Sequence, residues 1–245
     1  MRVLIFGNGR VGASFARYAA HLGHEASVVT RTMIRHDRDL VAAMVQSADL
    51  VAAAIPDDSL AGWRKDWDAE LAGKAPPIHF SGALMIAGMR GYHPLYSFPK
   101  APLPPETMGR IAVAREEGAA PLSSILPGAR NPEFAVRAED RPYYHALAVL
   151  SGNFAAHLWN LTAAGFSARF GFSPEKILGS YLEGVVERFR EAPLGSMTGP
   201  VARRDRLTVK ANLAALDRDP RLKQLYIDFI ASAWPDWTED GEKQG

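Results

Sequence analysis

Residues 1–32 read MRVLIFGNGRVGASFARYAAHLGHEASVVTRT, and this stretch indicates the fold. The apolar run Val3–Phe6 is typical of a buried strand, and the glycines after it open a helical pattern. Gly23 is placed to end that helix, and Ala26–Val29 predicts a second buried strand. A strand, a glycine turn, a helix and a strand form a βαβ unit, which needs a parallel sheet covered on both faces.

The glycines of this unit match the spacing G-x-G-x-x-G directly after a strand and at the start of a helix. In that context the first glycine permits a tight turn, the second lets the backbone approach a pyrophosphate, and the third lets helix and strand pack closely. The alternative is a tight turn with no ligand. The predicted dinucleotide-binding residues of the loop are Gly7, Asn8, Gly9, Arg10, Val11 and Gly12.

The end of the second strand predicts the type of dinucleotide. NAD sites place Asp or Glu there, whereas this chain has Thr30, Arg31 and Thr32. A guanidinium and two hydroxyls suit a 2′-phosphate, so we predict NADP(H) with Arg31 as the phosphate clamp. The alternative is a solvated surface arginine. Further cofactor contacts are expected at the ends of later strands, from Ile55, Pro56, Ser81 and Gly82.

The alternation of strands and helices continues after this unit. The predicted strands are Leu50–Ile55, Ile78–Phe80, Gly91–Phe98 and Ile111–Ala114, and the predicted helices are Asp39–Gln46 and Leu60–Leu71. Five or six strands with intervening helices predict an α/β fold, a doubly wound Rossmann-type domain over residues 1–142.

The pattern changes to helices alone after Pro142, which predicts an all-α domain over residues 143–245. The stretch Tyr144–Ala164 is apolar on nearly every side and is expected to form a central, buried helix. Further helices are expected to start at Pro174, Pro200 and Pro220, and the polar tail Thr238–Gly245 is expected to fray.

Composition excludes several classes of protein. The 245 residues are 47% hydrophobic and 22% charged, as in an ordinary folded chain, and the net charge of +1 disfavours nucleic acid as a partner. There is no cysteine, which excludes disulfides and thiolate chemistry. The histidines lack metal-ligand spacing, so no metal site is predicted. Without a long apolar segment, we expect a cytoplasmic protein that does not enter membranes.

Histidine and serine side chains come together in two later segments. His79 and Ser81 alternate on one short strand, and His93 and Ser97 lie in a proline-bounded loop. Such histidines are more often structural than catalytic. Serine with histidine also suggests a hydrolase, but the sequence lacks a G-x-S-x-G elbow.

Five segments together resemble one known family. They are GNGRVG, HFSG, HPLYSFP, SGNF at Ser151–Phe154, and TGPVARRD at Thr198–Asp205 followed by Thr208. The chain resembles bacterial proteins that pair a Rossmann-like NADP domain with a helical domain of unknown function. That family is related to pyrroline-5-carboxylate reductase, ketopantoate reductase and the 6-phosphogluconate-dehydrogenase-like enzymes. The resemblance implies a hydride-transfer enzyme, dimeric through its helical domain, and does not supply a substrate.

One position departs from the family pattern. The family usually has glycine where this chain has Arg204, within Arg203–Arg204–Asp205. The usual catalytic lysine of the hydroxyacid dehydrogenases is also missing, and Ser151, Gly152 and Asn153 stand in that helix, closer to the reductases of imino or keto acids.

Roles in catalysis follow for a few side chains. His93 is the predicted proton donor, because both of its protonation states are accessible near pH 7 in an unperturbed histidine. Asn153 is expected to position the substrate with help from Ser151, since an amide in an apolar helix needs a bonding partner. The alternative for Asn153 is a hydrogen bond between helices.

The helix expected at Pro200 supplies the remaining roles. Arg203 is the candidate clamp for a substrate carboxylate, Asp205 is expected to orient it or the proton donor, and Thr208 is expected to contact the substrate. Lys210 is a reserve general acid. The alternative is a solvated helical face.

Two hypotheses remain from the sequence. The first is an NADP-dependent reductase of a small, anionic 2-keto or imino acid, with ketopantoate-like compounds as an analogy. The second is a non-catalytic NADP-binding module whose helical domain serves dimerisation or partner binding. Converging polar groups from His93, Asn153 and Arg203 in a cleft between the domains would favour the first.

Overall fold

The structure is a computed structural model that describes residues 1–238 of the chain. Residues 239–245, most of the tail expected to fray, lie outside the described residues. The strands are β1 (Arg2–Phe6), β2 (Glu25–Val29), β3 (Leu50–Ala53), β4 (Ile78–His79), β5 (Arg90–Pro94), β6 (Val113–Glu116) and β7 (Glu133–Val136). The helices within residues 1–125 are α1 (Arg10–His21), α2 (Arg31–His36), α3 (Arg38–Ser47), α4 (Asp57–Asp66), α5 (Asp68–Leu71), α6 (Pro105–Met108) and α7 (Leu122–Ile125). The later helices are α8 (Arg141–Val149), α9 (Ala155–Phe170), α10 (Pro174–Glu191), α11 (Arg206–Ala215) and α12 (Pro220–Ala233).

The strands form one sheet in the order β2-β1-β3-β4-β5-β6-β7. Every neighbouring pair is parallel except β5 and β6, which are antiparallel. The predicted α/β, Rossmann-like class with a helical C-terminal region is therefore confirmed. The carboxyl ends of β1, β2 and β3 meet at one edge of the sheet, where α/β proteins bind ligands.

Both faces of the sheet are covered, as the apolar run in β1 predicts. Successive side chains of a strand point to opposite faces, so Ile5 joins a core with Phe15 of α1, whereas Phe6 joins a second core with Trp63 of α4. Burial on both faces explains why β1 is apolar at every position from Val3 onward.

The central strands match their predicted positions within a few residues, but the far side of the sheet differs. β6 extends through the charged pair Arg115–Glu116, where the apolar pattern ends, because Glu116 is buried and ion-paired to Arg90 at 2.9 Å. The apolar pattern does not predict β7, because a short and largely exposed edge strand, of which Val136 alone is buried, has little apolar periodicity. The predicted helix Leu60–Leu71 is two helices that meet at Trp67.

The chain divides into two compact units, Met1–Ala155 and a second one that begins at Ala156. The domain boundary between residues 142 and 143 stays a prediction. Helix α8 lies in the first unit, where Arg141 donates a hydrogen bond to the Ser81 carbonyl and is fully buried. The core of the second unit consists of Val201, Val209, Leu213, Ile230 and Trp234.

The helix starts of the second unit follow the predicted prolines in two cases of three. Pro174 and Pro220 are each in the first turn of a helix, and the Asp219 carboxylate accepts a hydrogen bond from Leu222 N. The prediction that Pro200 begins a helix is wrong. Pro200 lies in a turn, and α11 begins at Arg206 because Asp205 supplies the capping carboxylate.

The stretch Tyr144–Ala164 is helical but not buried. It comprises most of α8, a π-helical segment at Leu150–Phe154 and part of α9, and none of its residues is buried in this chain. The expectation of a central, buried helix is therefore wrong for the single chain. Within the part of the chain that the structure describes, this apolar stretch stays exposed or half-buried. No helix within residues 1–238 is both long and apolar enough to cross a membrane.

Candidate functional site

The glycine loop joins β1 to α1, and its three glycines have different surroundings. Gly7 has a positive φ of 106°, and a Cβ there would lie 2.2 Å from the Ala54 carbonyl oxygen. A Cβ on Gly12 would lie 2.1 Å from the Gly7 carbonyl oxygen. Around Gly9 no atom lies within 4 Å of such a Cβ. Gly7 and Gly12 thus serve close backbone packing, whereas Gly9 leaves open space above the loop.

This open space belongs to a cleft of about 1080 Å³, here called the glycine-loop cleft. Seven of the predicted cofactor-binding residues line it, namely Gly7, Asn8, Gly9, Thr30, Arg31, Ile55 and Pro56. They come from the carboxyl ends of β1, β2 and β3, which the parallel pairing brings side by side. The cleft is comparable in volume to ligand and cofactor sites, and Phe6, Val29 and Ile34 are among the apolar residues that line it.

The end of β2 has the chemistry expected for a 2′-phosphate site. Thr30 caps α2, its hydroxyl accepting a hydrogen bond from Met33 N at 3.3 Å. Arg31 is exposed on the cleft and makes no hydrogen bond or ion pair with the residues that the structure describes. An unpaired guanidinium at a helix start is available for an anionic ligand.

The other predicted cofactor residues do not line the glycine-loop cleft, and their binding roles stay predictions. Arg10 donates a hydrogen bond to the Phe98 carbonyl at 3.3 Å, and Val11 borders a small apolar cavity elsewhere. The Ser81 hydroxyl donates to the Asp57 carboxylate at 2.6 Å. A Cβ on Gly82 would lie 2.2 Å from His145 Nδ1, so that glycine lets α8 approach the sheet. Thr32 is exposed in the first turn of α2.

Sequence reasoning missed one wall of the glycine-loop cleft. Trp63 and Trp67 line it from α4 and its end, and both contact the Phe6 ring, with centroids 5.0 and 5.1 Å away. The guanidinium of Arg38 lies 4.2 Å from the Trp67 ring centroid. The four-residue spacing of the two tryptophans was a signal for a shared helix face, but nothing in the sequence indicates Arg38.

A second cleft, of about 590 Å³, lies in the first unit and is here called the His93 cleft. His93 from β5 and the predicted residues Ser151 and Asn153 from the π-helical segment all line it. The fold thereby brings His93 together with two residues that lie 58 and 60 positions later in the chain. The Nδ1 atom of His93 shares a hydrogen bond of 2.6 Å with the hydroxyl of Tyr144.

The protonation of this pair differs from the expectation. Burial, with the nearby charges of His145 and Arg141, lowers the pKa of His93 to about 4. Burial also raises the pKa of Tyr144 to about 12. Both side chains are therefore neutral at pH 7, and the expectation that imidazolium is accessible to His93 near neutral pH is wrong. At pH 7 the pair therefore consists of a neutral imidazole and a neutral phenol that share one hydrogen bond.

The two polar residues of the π-helical segment also differ from their rationale. The Ser151 hydroxyl donates to the Leu147 carbonyl at 2.8 Å, one turn back along the helix. Asn153 was expected to be an amide enclosed by apolar surface, but it is exposed and has no hydrogen-bond partner among the described residues. Its amide is free to meet a ligand in the His93 cleft. π-helical segments are common at functional sites.

Buried polar groups lie next to the His93 cleft and were not predicted. Arg141 is fully buried, donates from Nη2 to the Ser81 carbonyl at 2.7 Å, and lies against the backbone of Gly91. His79 is fully buried, with neither ring nitrogen hydrogen-bonded within residues 1–238, and burial lowers its pKa to about 4. The sequence does not indicate that Arg141 is buried, because this residue lies directly before Pro142, where the alternation of strands and helices gives way to helices alone.

The predicted site residues of the second unit lie at the start of α11. The Asp205 carboxylate accepts hydrogen bonds from the Thr208 backbone N at 3.1 Å and from the Thr208 hydroxyl at 2.7 Å, and these bonds lower its pKa. Asp205 and Thr208 thus form a helix cap. Arg203 lies in the preceding turn and Lys210 lies within α11. The roles assigned to these residues in substrate binding or proton transfer stay predictions.

The sheet, the glycine loop and the helical region define a Rossmann-like protein. Residues 111–232 match the model of a family described as a domain of unknown function, DUF2520, which confirms the resemblance stated from the sequence. No curated protein matches the chain in sequence.

Solved structures share this fold. A Bacteroides fragilis protein assigned as an NADP oxidoreductase has a TM-score of 0.70 and 16% identity over 95% of this chain and 97% of its own. A Thermotoga maritima protein has a TM-score of 0.70 and 20% identity over 94% and 96%. Pyrroline carboxylate reductase from Plasmodium falciparum, solved with NADP bound, has a TM-score of 0.58 and 10% identity over 95% of both chains. At such low identity these likenesses concern the fold alone.

Proposed function

We propose that the protein is an NADP-dependent oxidoreductase that transfers a hydride between NADPH and a small 2-keto or imino acid. The observation that carries the proposal is the open glycine-loop cleft, in which Gly9 faces open space and Arg31 is unpaired at the end of β2. The structural neighbours include an NADP oxidoreductase and a reductase with NADP bound, which supports the same class of reaction.

The residues present fit NADP. The backbone of Gly7, Asn8 and Gly9, with the first N–H groups of α1, would hold the pyrophosphate, because a helix start favours anions. Arg31 and the Thr30 hydroxyl would hold the 2′-phosphate, and no carboxylate stands at the end of β2 to repel it. The nicotinamide of the bound cofactor supplies the hydride.

The His93 cleft would supply the proton. Reduction of a C=O or C=N group needs a proton at oxygen or nitrogen as the hydride reaches carbon. Tyr144 and His93 share a hydrogen bond and are neutral at pH 7, so the Tyr144 hydroxyl would donate to the substrate while the Nδ1–H tautomer of His93 donates to the phenol oxygen and orients it. Asn153 would position the substrate from the same cleft. Asp205, Arg203 and Thr208 keep their proposed substrate roles in the second unit.

The exposed apolar helix stretch supports the proposed homodimer through the C-terminal region. Tyr143, Leu150 and Phe154 are 70%, 57% and 44% exposed in the single chain, and apolar surface of this kind is commonly covered in an assembly. The substrate is proposed to be a small anionic molecule, and the location is proposed to be cytoplasmic.

The experiment that tests this function is a fluorescence titration of the full chain with NADPH and, separately, with NADH. We expect tighter binding of NADPH, and we expect Arg31→Ala to weaken NADPH binding at least ~10-fold while leaving NADH binding nearly unchanged. Arg35→Ala, an exposed arginine of the same helix that does not line the cleft, is the matched control.

Two results would overturn the proposal. If neither nucleotide binds, the glycine loop is a structural turn. If NADPH binds but is not oxidised by any compound of a keto and imino acid series, the protein is an NADP-binding module rather than a reductase.

A further inference from the structure

The His93 cleft is lined mainly by apolar and aromatic side chains. Among the described residues, those that line this cleft include no aspartate, glutamate, lysine or arginine. Much of its wall is instead aromatic or aliphatic, and besides Tyr144 it includes Tyr96, Phe134, Leu95 and Leu147. A cleft of this composition lacks the lysine or arginine that usually pairs with a substrate carboxylate.

The apolar wall begins next to the hydrogen-bonded pair. The ring of Phe134 meets the ring of Tyr144 edge to face, with centroids 5.7 Å apart, and the Tyr144 hydroxyl lies 2.6 Å from His93 Nδ1. The Phe134 ring therefore packs against the ring that carries the hydrogen-bonded hydroxyl, so the apolar wall and the polar pair belong to the same part of the cleft.

The wall also leaves apolar surface open to water. Tyr96 is 48% exposed, Phe134 40% and Leu147 46%. Covering such surface with an apolar ligand group is favourable by about 25 cal/mol per Å². The volume of about 590 Å³ exceeds that needed for a benzene-sized group, which occupies a cavity on the order of 150 Å³.

From these observations we propose that the substrate carries a bulky apolar substituent, an aromatic ring or a branched alkyl chain, next to the carbon that is reduced. The substituent lies against Phe134, Tyr96 and Leu147, and the carbonyl oxygen or imine nitrogen lies at the His93–Tyr144 pair. This inference rests on the proposed reductase function and narrows its substrate class.

The reaction balances with NADPH as the named reductant. The hydride and its electron pair pass from NADPH to the carbon, the π bond of C=O or C=N breaks, and the oxygen or nitrogen takes one proton from the Tyr144 hydroxyl. The products are NADP⁺ and an alcohol or amine, and solvent returns the proton to Tyr144. The apolar substituent is unchanged and contributes binding alone.

The test compares substrates that differ in the apolar group alone. Full-length protein with saturating NADPH is offered pyruvate, 4-methyl-2-oxopentanoate and phenylpyruvate, each with and without ammonium, and binding of each compound to the protein–NADP⁺ complex is measured by calorimetry. We expect kcat/KM, or affinity where turnover is slow, to be at least ~10-fold higher for one of the two bulky compounds than for pyruvate.

Variants locate the preference. Phe134→Ala is expected to reduce the ratio between bulky and small compounds several-fold without changing NADPH affinity. Leu40→Ala is the matched control, because Leu40 is an exposed apolar residue of α3 that lines neither this cleft nor the glycine-loop cleft. It is expected to keep the ratio of the natural chain.

Each contrary outcome has one meaning. Absence of NADPH binding rejects the proposed function. NADPH binding with equal efficiency for pyruvate and the bulky compounds, or with no compound bound, rejects the apolar-substituent inference and leaves the cofactor assignment standing. If Phe134→Ala changes the oligomeric state and not the ratio, the cleft wall is a subunit interface and the inference is wrong.

Discussion

The Nδ1 atom of His93 on β5 and the hydroxyl oxygen of Tyr144 on α8 lie 2.6 Å apart, although 51 residues separate them in the chain. The pair forms because Gly91 and Gly82 have no side chains. A Cβ at Gly91 would lie 3.0 Å from the Arg141 guanidinium, and one at Gly82 would lie 2.2 Å from His145 Nδ1. Two glycines thus let helix α8 lie directly on the sheet and bring its phenol to the imidazole.

The first prediction concerns this pair. We expect Tyr144→Phe to lower kcat of NADPH oxidation about 10²-fold, since it removes the transferable proton and keeps the ring. NADPH affinity should not change, because Tyr144 does not line the glycine-loop cleft. Steady-state kinetics with the best compound of the series measure the effect, and Tyr143→Phe is the control. An unchanged kcat would remove Tyr144 from the mechanism.

The pH dependence of turnover follows from the same pair. Burial places the pKa of His93 at about 4 and that of Tyr144 at about 12, so neither changes its charge between pH 5.5 and 8. We expect kcat to be flat over that range. A fall in kcat as the pH rises, with a midpoint near pH 6.5 that disappears in His93→Gln, would show instead that His93 acts as an imidazolium.

Substitutions at two glycines of the glycine loop are expected to differ in their effect, one on stability and the other on nucleotide binding. Gly12→Ala is expected to reduce the free energy of unfolding by about 3 kcal/mol, because its Cβ would lie 2.1 Å from the Gly7 carbonyl oxygen. Gly9→Ser should leave stability nearly unchanged, because its Cβ has open space and serine is a good helix N-cap.

The two variants differ in nucleotide binding as well. Gly9→Ser should weaken NADPH binding at least ~10-fold, because the new side chain projects into the cleft where the pyrophosphate would lie. Urea denaturation and the fluorescence titration measure the two effects. If Gly9→Ser binds NADPH as the natural chain does, the nucleotide does not lie on this loop.

Stability should depend on pH through His79. Burial lowers its pKa to about 4 in the folded chain, below the ordinary value of 6.5. Between these two values the unfolded chain binds the proton and the folded chain does not, so stability falls as the pH falls. The full contribution is present above pH 6.5, and roughly 3 kcal/mol is lost by pH 4.

Urea denaturation at several pH values checks this contribution. His79→Asn is expected to reduce the slope of unfolding free energy against pH between 6.5 and 4. His36→Asn, at an exposed position on α2, is the control and should keep the slope. An unchanged slope in His79→Asn would assign the acid sensitivity to other groups.

Arg204 is the last test. It has a φ of +56°, a left-handed conformation that favours glycine, and it stands where the family usually has glycine. Such a conformation costs a non-glycine residue roughly 1–2 kcal/mol. Arg204→Gly should therefore raise the unfolding free energy by about 0.5–1 kcal/mol after the added entropy of the unfolded chain is subtracted.

A second variant isolates the backbone effect. The Arg204 guanidinium lies 6.0 Å from the Trp234 ring centroid, a contact that the glycine variant also removes. Arg204→Ala removes the contact and keeps the unfavourable φ, so it should be no more stable than the natural chain. Thermal unfolding compares the three proteins, and equal stability of the glycine and alanine variants would refute the argument from strain.

Local patterns predicted much of the first unit and little of the His93 cleft. β1, α1 and β2 were predictable because an apolar run, a glycine spacing and a helical period are all encoded within 30 residues. Arg141, Tyr144 and His145 were not, since their surroundings depend on Gly82 and Gly91, which lie 50 or more residues earlier. Periodicity likewise cannot tell whether an apolar helix such as α9 is buried by its own chain.

The sequence by itself determined the Rossmann-like class, the glycine loop and the cationic end of β2, because each depends on residues that are neighbours in the chain. The tertiary structure alone decided which of the predicted side chains share a cleft. It placed His93, Ser151 and Asn153 together and made Asp205 a helix cap. It also decided the charge of His93, because a histidine's pKa is set by burial and by neighbouring cations, and both follow from packing between distant segments.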